Sequence, residues 1–227
     1  MIKTAILVDG GFYRRRSSLL WGKKTPEGRA DELAAYCKAH INNTNDKRYE
    51  RTLYRIFYYD CPPLKKQVYH PLKGNINFGK SETYQWTLDF FDALKQKRKF
   101  ALRLGILSDD FAEFRLKQGV IRKLCSKKLT VDDLTEDSFE ISFSQKGVDM
   151  KLGLDIASLA YKRQVDQIVL ISGDSDFVPA AKHARREGID FILDPMWGTV
   201  KPELYEHIDG LQSQWGKKPT SNQQINK

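Results

Sequence analysis

Cysteine is scarce in this chain. Cys37, Cys61 and Cys125 lie far apart and form no CxxC pair. That excludes a disulfide framework and a thiolate zinc site as organising features, and the three read as reduced thiols. Long apolar runs are missing too. None approaches the roughly 18 residues a membrane span needs. The opening stretch, Met1 to Val8, is too short an apolar run for a signal peptide and leads directly into Asp9. The chain is therefore read as cytoplasmic, with no membrane contact. There is no internal repeat and no convincing linker. His183 has no Cys or His partner at ligand spacing and reads as structural.

Positive charge is in excess. Lys and Arg total 38 against 29 Asp and Glu, a net charge of +9 over 227 residues. A basic chain attracts polyanions, because neutralising phosphates releases counterions. Hydrophobic residues make up 41% and charged residues 30%, an ordinary balance for a globular protein with a real core.

Residues 2–8, 53–59, 100–107, 139–143, 167–171 and 190–193 read as strands. Residues 2–8 and 167–171 are continuously apolar, as strands buried on both faces are. Helical spacing predicts helices over 31–41, about 84–94, 148–161 and 176–186, with Gly188 as the cap of the last. Strands alternating with helices give an α/β fold with a mostly parallel sheet and right-handed crossovers. One domain is expected over residues 1–211, with about 62–145 as a less regular elaboration. Residues 212–227 are polar and read as a flexible tail.

Two apolar strands stop at a carboxylate beside glycine: Leu7-Val8-Asp9-Gly10-Gly11 and Ile171-Ser172-Gly173-Asp174-Ser175-Asp176-Phe177. In open parallel sheets ligands bind outside the carboxyl ends of the strands. A third carboxylate, Asp149, opens a helix in Lys146-Gly147-Val148-Asp149. Asp155 lies six residues further on, about 120° around the helix axis, and is a candidate for a supporting role. Each piece has a plain alternative: a turn at Asp9, an N-cap at Asp174, a dipole-favoured acid at Asp149. Together they suggest more. Converging carboxylates stay ionised only beside a cation, and oxygen ligands suit Mg²⁺ or Mn²⁺. Residues 12–16 mix aromatic and basic groups directly after Asp9, as single-strand binders do. Tyr13, Arg14 and Arg15 are candidate substrate contacts, and Lys146 is another. The basic runs 95–99 and 182–186 read as solvated faces.

The segments Leu7-Val8-Asp9-Gly10-Gly11-Phe12-Tyr13, Tyr58-Tyr59-Asp60, Lys146 to Asp155 and Ile171 to Phe177 resemble, in order and spacing, the NYN family. Within it they resemble the LabA-like branch of the PIN-like nucleases. The resemblance spans roughly residues 3–195 and carries over no motif from 62–144. It implies a PIN-like three-layer α/β sandwich. It also implies that Asp9, Asp149, Asp174 and Asp176 form a Mg²⁺ or Mn²⁺ site for hydrolysing RNA.

Three rivals stand beside that reading. A haloacid-dehalogenase-type phosphohydrolase wants a second aspartate two residues after the first, where this chain has Gly11. A non-catalytic nucleic-acid-binding or interaction module has no need of the full aspartate set. A DNA nuclease would use the same metal site, so the preference for RNA rests on the resemblance. Oligomeric state stays open, a homodimer included. The aromatic segment 84–91 is core or a dimer face, with core favoured.

Overall fold

The computed structural model describes residues 1–42 and 50–216. In chain order the elements are β1 (Ile2–Asp9), α1 (Gly10–Trp21), α2 (Pro26–Asn42), β2 (Arg51–Asp60), β3 (Gln67–His70), β4 (Gly74–Asn77), α3 (Glu82–Lys95), β5 (Phe100–Leu104), β6 (Ile106–Leu116), α4 (Gln118–Cys125), β7 (Phe139–Lys146), α5 (Val148–Tyr161), β8 (Gln167–Ile171), α6 (Val178–Arg186), β9 (Asp190–Asp194), α7 (Pro202–Tyr205) and β10 (Gly210–Leu211). They divide into two compact units. One comprises Met1–Asp60, Asp89–Gly105 and Gly147 onward; the other comprises Cys61–Leu88 and Ile106–Lys146.

The first unit is built on a six-stranded sheet in the order β10-β9-β8-β1-β2-β5. Every adjacent pair in it is parallel. Residues alternate across a strand, so each face of a central strand needs its own cover. Ala5 and Leu7 of β1, with Phe57 and Tyr59 of β2, pack with Leu152 and Ile156 of α5 and Ala181 and Ala184 of α6. On the other register, Tyr58 meets the rings of Phe90 and Phe91 from α3 edge-on, at 5.6 and 6.3 Å between centroids. Helices thus flank an all-parallel sheet on both faces, the three-layer α/β sandwich expected.

Local differences have local causes. The expected strand 100–107 divides at Gly105, whose N–H bonds the Asp60 carbonyl at 2.8 Å as β5 ends. The expected helix 31–41 begins earlier, at Pro26. Proline is tolerated in a first turn, and Thr25 there accepts from the Gly28 N–H at 3.1 Å. The helix expected from 176 starts at Val178 after a 3-10 turn over Ser175–Phe177. A short parallel strand, β10, follows what was read as the last strand. Within 212–216, read as the start of a tail, Gln214 is buried and its N–H bonds the Tyr36 hydroxyl at 3.2 Å. The rest of that expected tail, 217–227, lies outside the described residues.

The second unit holds two antiparallel pairs, β3 with β4 and β6 with β7. The His70 ring packs edge-on against Phe114 and Phe139. Among the described residues no helix is long and apolar enough to cross a membrane.

Candidate functional site

The chain lays down β1, passes outward to β2 and β5, and returns on the other side of β1 through β8, β9 and β10. The order therefore reverses between β1 and β8, and at such a switch point open parallel sheets bind ligands outside the carboxyl ends of the strands. Asp9 is the last residue of β1. Ser172 to Asp176 follow β8 immediately.

Asp9 is held from two sides. It caps α1, accepting the Phe12 N–H on Oδ1 at 3.0 Å. Its Oδ2 accepts the Ser172 hydroxyl at 3.1 Å. The Ser172 hydroxyl also accepts the Asp174 N–H at 3.2 Å. Asp174 caps the next turn through the Asp176 N–H at 3.0 Å. One serine thus ties the end of β1 to the acidic turn after β8. Ser172 stood inside the motif, but only the fold shows what it holds. The glycines allow these close approaches. A Cβ at Gly10 would sit 2.5 Å from the Tyr58 ring and 2.6 Å from the Tyr59 carbonyl, and one at Gly173 would sit 2.8 Å from Phe12.

Asp149 lies in the first turn of α5, after Gly147 at φ 81, a left-handed conformation natural to glycine. Burial, then the Asp174 and Asp176 charges, raise the Asp149 carboxyl above its ordinary range. Asp9 is raised too, mainly by burial. The Phe12 and Ser172 bonds oppose this, and Asp149 adds to it. The Arg15 charge opposes the rise as well. Asp149 is thus felt by Asp9 and itself feels Asp174 and Asp176. Among the described residues no group of three or more His, Cys, Asp and Glu side chains is drawn close enough to hold a metal. The four carboxylates are nonetheless all hard-oxygen donors, the ligand class that a small divalent cation takes.

Other expected site residues lie elsewhere. Tyr13 is fully buried, and its hydroxyl donates to Glu32 at 3.1 Å. It is a core residue, which corrects the expectation of substrate contact. The reason is helical period: Tyr13, Ser17 and Leu20 form the buried stripe of α1. Arg14 bonds the buried Asp60 at 3.0 Å, so its head is committed to the end of β2. Arg15 is exposed. Asp155 accepts from Tyr59 at 2.8 Å and Arg103 at 3.0 Å, beside a small pocket of about 240 Å³ lined also by Tyr54 and Phe57. Lys146 is exposed at the end of β7. A basic depression of about 620 Å³, with Lys182, Arg185 and Arg186, lies at the amino end of β9, away from the carboxyl edge. In the run 95–99, Lys95 and Lys97 pair with Asp92 and Asp31.

An all-parallel sheet covered on both faces, with carboxylates at its switch point, makes a three-layer α/β architecture consistent with a PIN-like sandwich. Within this chain, residues 90–200 match the NYN domain family. That span includes Asp149, Asp174 and Asp176 but not Asp9. The match supports that domain family over this stretch.

Two curated relatives bear the description uncharacterized protein. One, from Methanocaldococcus jannaschii, is 22% identical over 44% of this chain and 42% of its own length. The other, from Sinorhizobium fredii, is 34% identical over 32% of this chain and 35% of its own length. The chain thus spans less than half the length of either. A crystal structure of a protein of unknown function from Vibrio parahaemolyticus covers 92% of this chain and 91% of its own, at 13% identity and a TM-score of 0.47.

Proposed function

We propose that the chain is a metal-dependent nuclease of the LabA-like NYN type that hydrolyses phosphodiester bonds of single-stranded RNA in the cytoplasm. The observation that carries this is the meeting of Asp9 at the end of β1 with the acidic turn after β8, tied through the Ser172 hydroxyl, with Asp149 at the start of α5 acting on Asp9 and acted on by Asp174 and Asp176. These four would hold Mg²⁺ or Mn²⁺. A cation bound there would activate water and stabilise the charge that develops on a phosphate during in-line attack. Ser172 fixes the orientation of Asp9. Arg15 would meet the phosphate chain beside Asp9. Lys201 donates to Ser175 at 3.0 Å, so its charge would meet the chain on the far side of the acidic turn.

The test is cutting of labelled single-stranded RNA and matched DNA by the purified chain with Mn²⁺, Mg²⁺ or EDTA, with Asp174→Asn alongside. The expected outcome is cutting of RNA with either metal, none with EDTA, and a loss of at least about 100-fold in Asp174→Asn. Preference for DNA would leave the metal chemistry and change the substrate. No cutting of either polymer by a folded protein that still binds RNA would sink the enzyme and leave a binding module.

A further inference from the structure

Three non-glycine residues around the carboxyl edge carry left-handed backbone: Met196 at φ 46, Trp197 at φ 61 and Trp215 at φ 56. Such conformations persist only where their surroundings over-determine them, and they concentrate at binding sites. Here the constraint is visible. Asp194, fully buried at the end of β9, accepts the Met196 N–H at 2.7 Å and the Ser213 hydroxyl at 2.8 Å on Oδ1. Its Oδ2 meets His40 Nε2 at 2.7 Å. Ser213 in turn accepts the Trp197 N–H at 3.0 Å.

The result is two indoles held in place and left open. Trp197 is 46% exposed and Trp215 40%. Trp197 donates its Nε1–H to the Trp215 carbonyl at 2.9 Å. Trp215 packs edge-on against Trp21 at 5.2 Å and Tyr36 at 5.1 Å. Core packing would bury such rings, whereas here the Trp197 backbone is fixed by Ser213 and each ring keeps a large exposed part.

Their position relates them to the aspartates. The Ser172 N–H bonds the Asp194 carbonyl at 3.2 Å, and the Ser172 hydroxyl bonds Asp9. Arg16, on α1, donates to the Met196 carbonyl at 2.6 Å. At the other end of the same loop, Lys201 reaches Ser175 in the acidic turn. Asp9 and Trp21 bracket α1, a separation of about 18 Å for a helix of this length.

We propose that Trp197 and Trp215 form a stacking platform for the unpaired bases of the single strand whose backbone reaches the aspartates. The proposal rests on the nuclease reading above. Exposed indoles, on and near a loop that Arg16 meets at the Met196 carbonyl and Lys201 ties to the acidic turn, in a chain of net charge +9, match a ligand that is anionic along its backbone and aromatic in its side groups. Every base has a π-face, so such a platform holds single strands with little sequence preference. A duplex, with its bases already stacked and paired, gains nothing from it.

The test uses the full chain in EDTA, so that binding is read without cutting. Labelled oligouridine and an abasic oligomer of equal length are titrated by fluorescence anisotropy against wild type, Trp197→Ala, Trp197→Phe and Trp215→Phe. Phenylalanine is used at 215 because Trp215 also packs on Trp21 and Tyr36. The expected result is a rise of about tenfold in the Kd of Trp197→Ala for oligouridine. Trp197→Phe should stay near wild type, and the abasic oligomer should bind all variants alike. Equal oligouridine affinity in wild type and Trp197→Ala overturns the platform, as does equal wild-type affinity for oligouridine and the abasic oligomer. If Trp197→Ala binds RNA normally but dissociates a dimer seen in the wild type, the patch is a self-association face instead. Weaker oligouridine binding by Trp197→Ala, alongside a wild type that cuts no polymer, would keep the platform and sink the nuclease reading alone.

Discussion

Asp149 is exposed at the start of α5, yet its carboxyl is raised, first by burial and then by Asp174 and Asp176. A carboxyl raised in the folded state favours folding while it is protonated. That contribution is complete below the unfolded value and disappears as pH rises through the folded one. At neutral pH the metal-free protein therefore carries an unrelieved repulsion. Asp149→Asn removes it, and the expected outcome is a Tm about 2 °C above wild type in EDTA at pH 7. The gain should shrink toward pH 3, where Asp149 is protonated in both states. Thermal melts across pH check this, and a lower Tm for the variant at pH 7 would contradict the repulsion. Asp9 feels the Asp149 charge, but it also caps α1, so its substitution mixes two effects.

At the scale of elements, two loops after neighbouring strands build the carboxyl edge. The loop after β8 carries the acidic turn. The loop after β9 carries Trp197 and Lys201. Asp194 joins the second loop to α2 through His40, and to the segment after β10 through Ser213. Removing that carboxylate leaves several buried donors without an acceptor. Asp194→Ala is expected to cost about 3 kcal/mol of stability, read from urea unfolding. It should also release the left-handed backbone at Met196 and Trp197, so the Trp197 indole fluorescence shifts toward that of a free tryptophan. An unchanged urea midpoint would remove Asp194 from this role.

For the whole molecule, charge and topology act together. The switch point gathers carboxylates in a chain whose net charge is +9, so on the proposed function a polyanion would be attracted by the surface while a cation would serve the site. Binding of single-stranded RNA should weaken steeply with salt. With about three phosphates neutralised, raising monovalent salt from roughly 50 to 200 mM should cost at least about tenfold in affinity. Anisotropy titrations at several salt concentrations measure the slope. A flat response would mean that stacking and metal contacts, not phosphate charge, dominate.

What the sequence determined by itself is what local pattern can encode. Continuous apolar runs mark strands buried on both faces, which specified a parallel α/β sheet. Carboxylates beside glycine at two strand ends marked the carboxyl ends of β1 and β8. Residues 148–161 and 167–171 were legible to the residue, because their period and boundaries are local properties. The tertiary structure decided orientation and partnership. Tyr13 looked like a stacking group because it neighbours Arg14 and Arg15, but the helical stripe turns it into the core. Ser172 meets Asp9 across 163 residues, and Arg16 meets the Met196 carbonyl across 180. The opened indoles depend on a buried carboxylate whose partners come from α2 and from a segment that reads as tail. Such contacts form only when distant segments are brought together by the fold, so no local pattern in the chain records them.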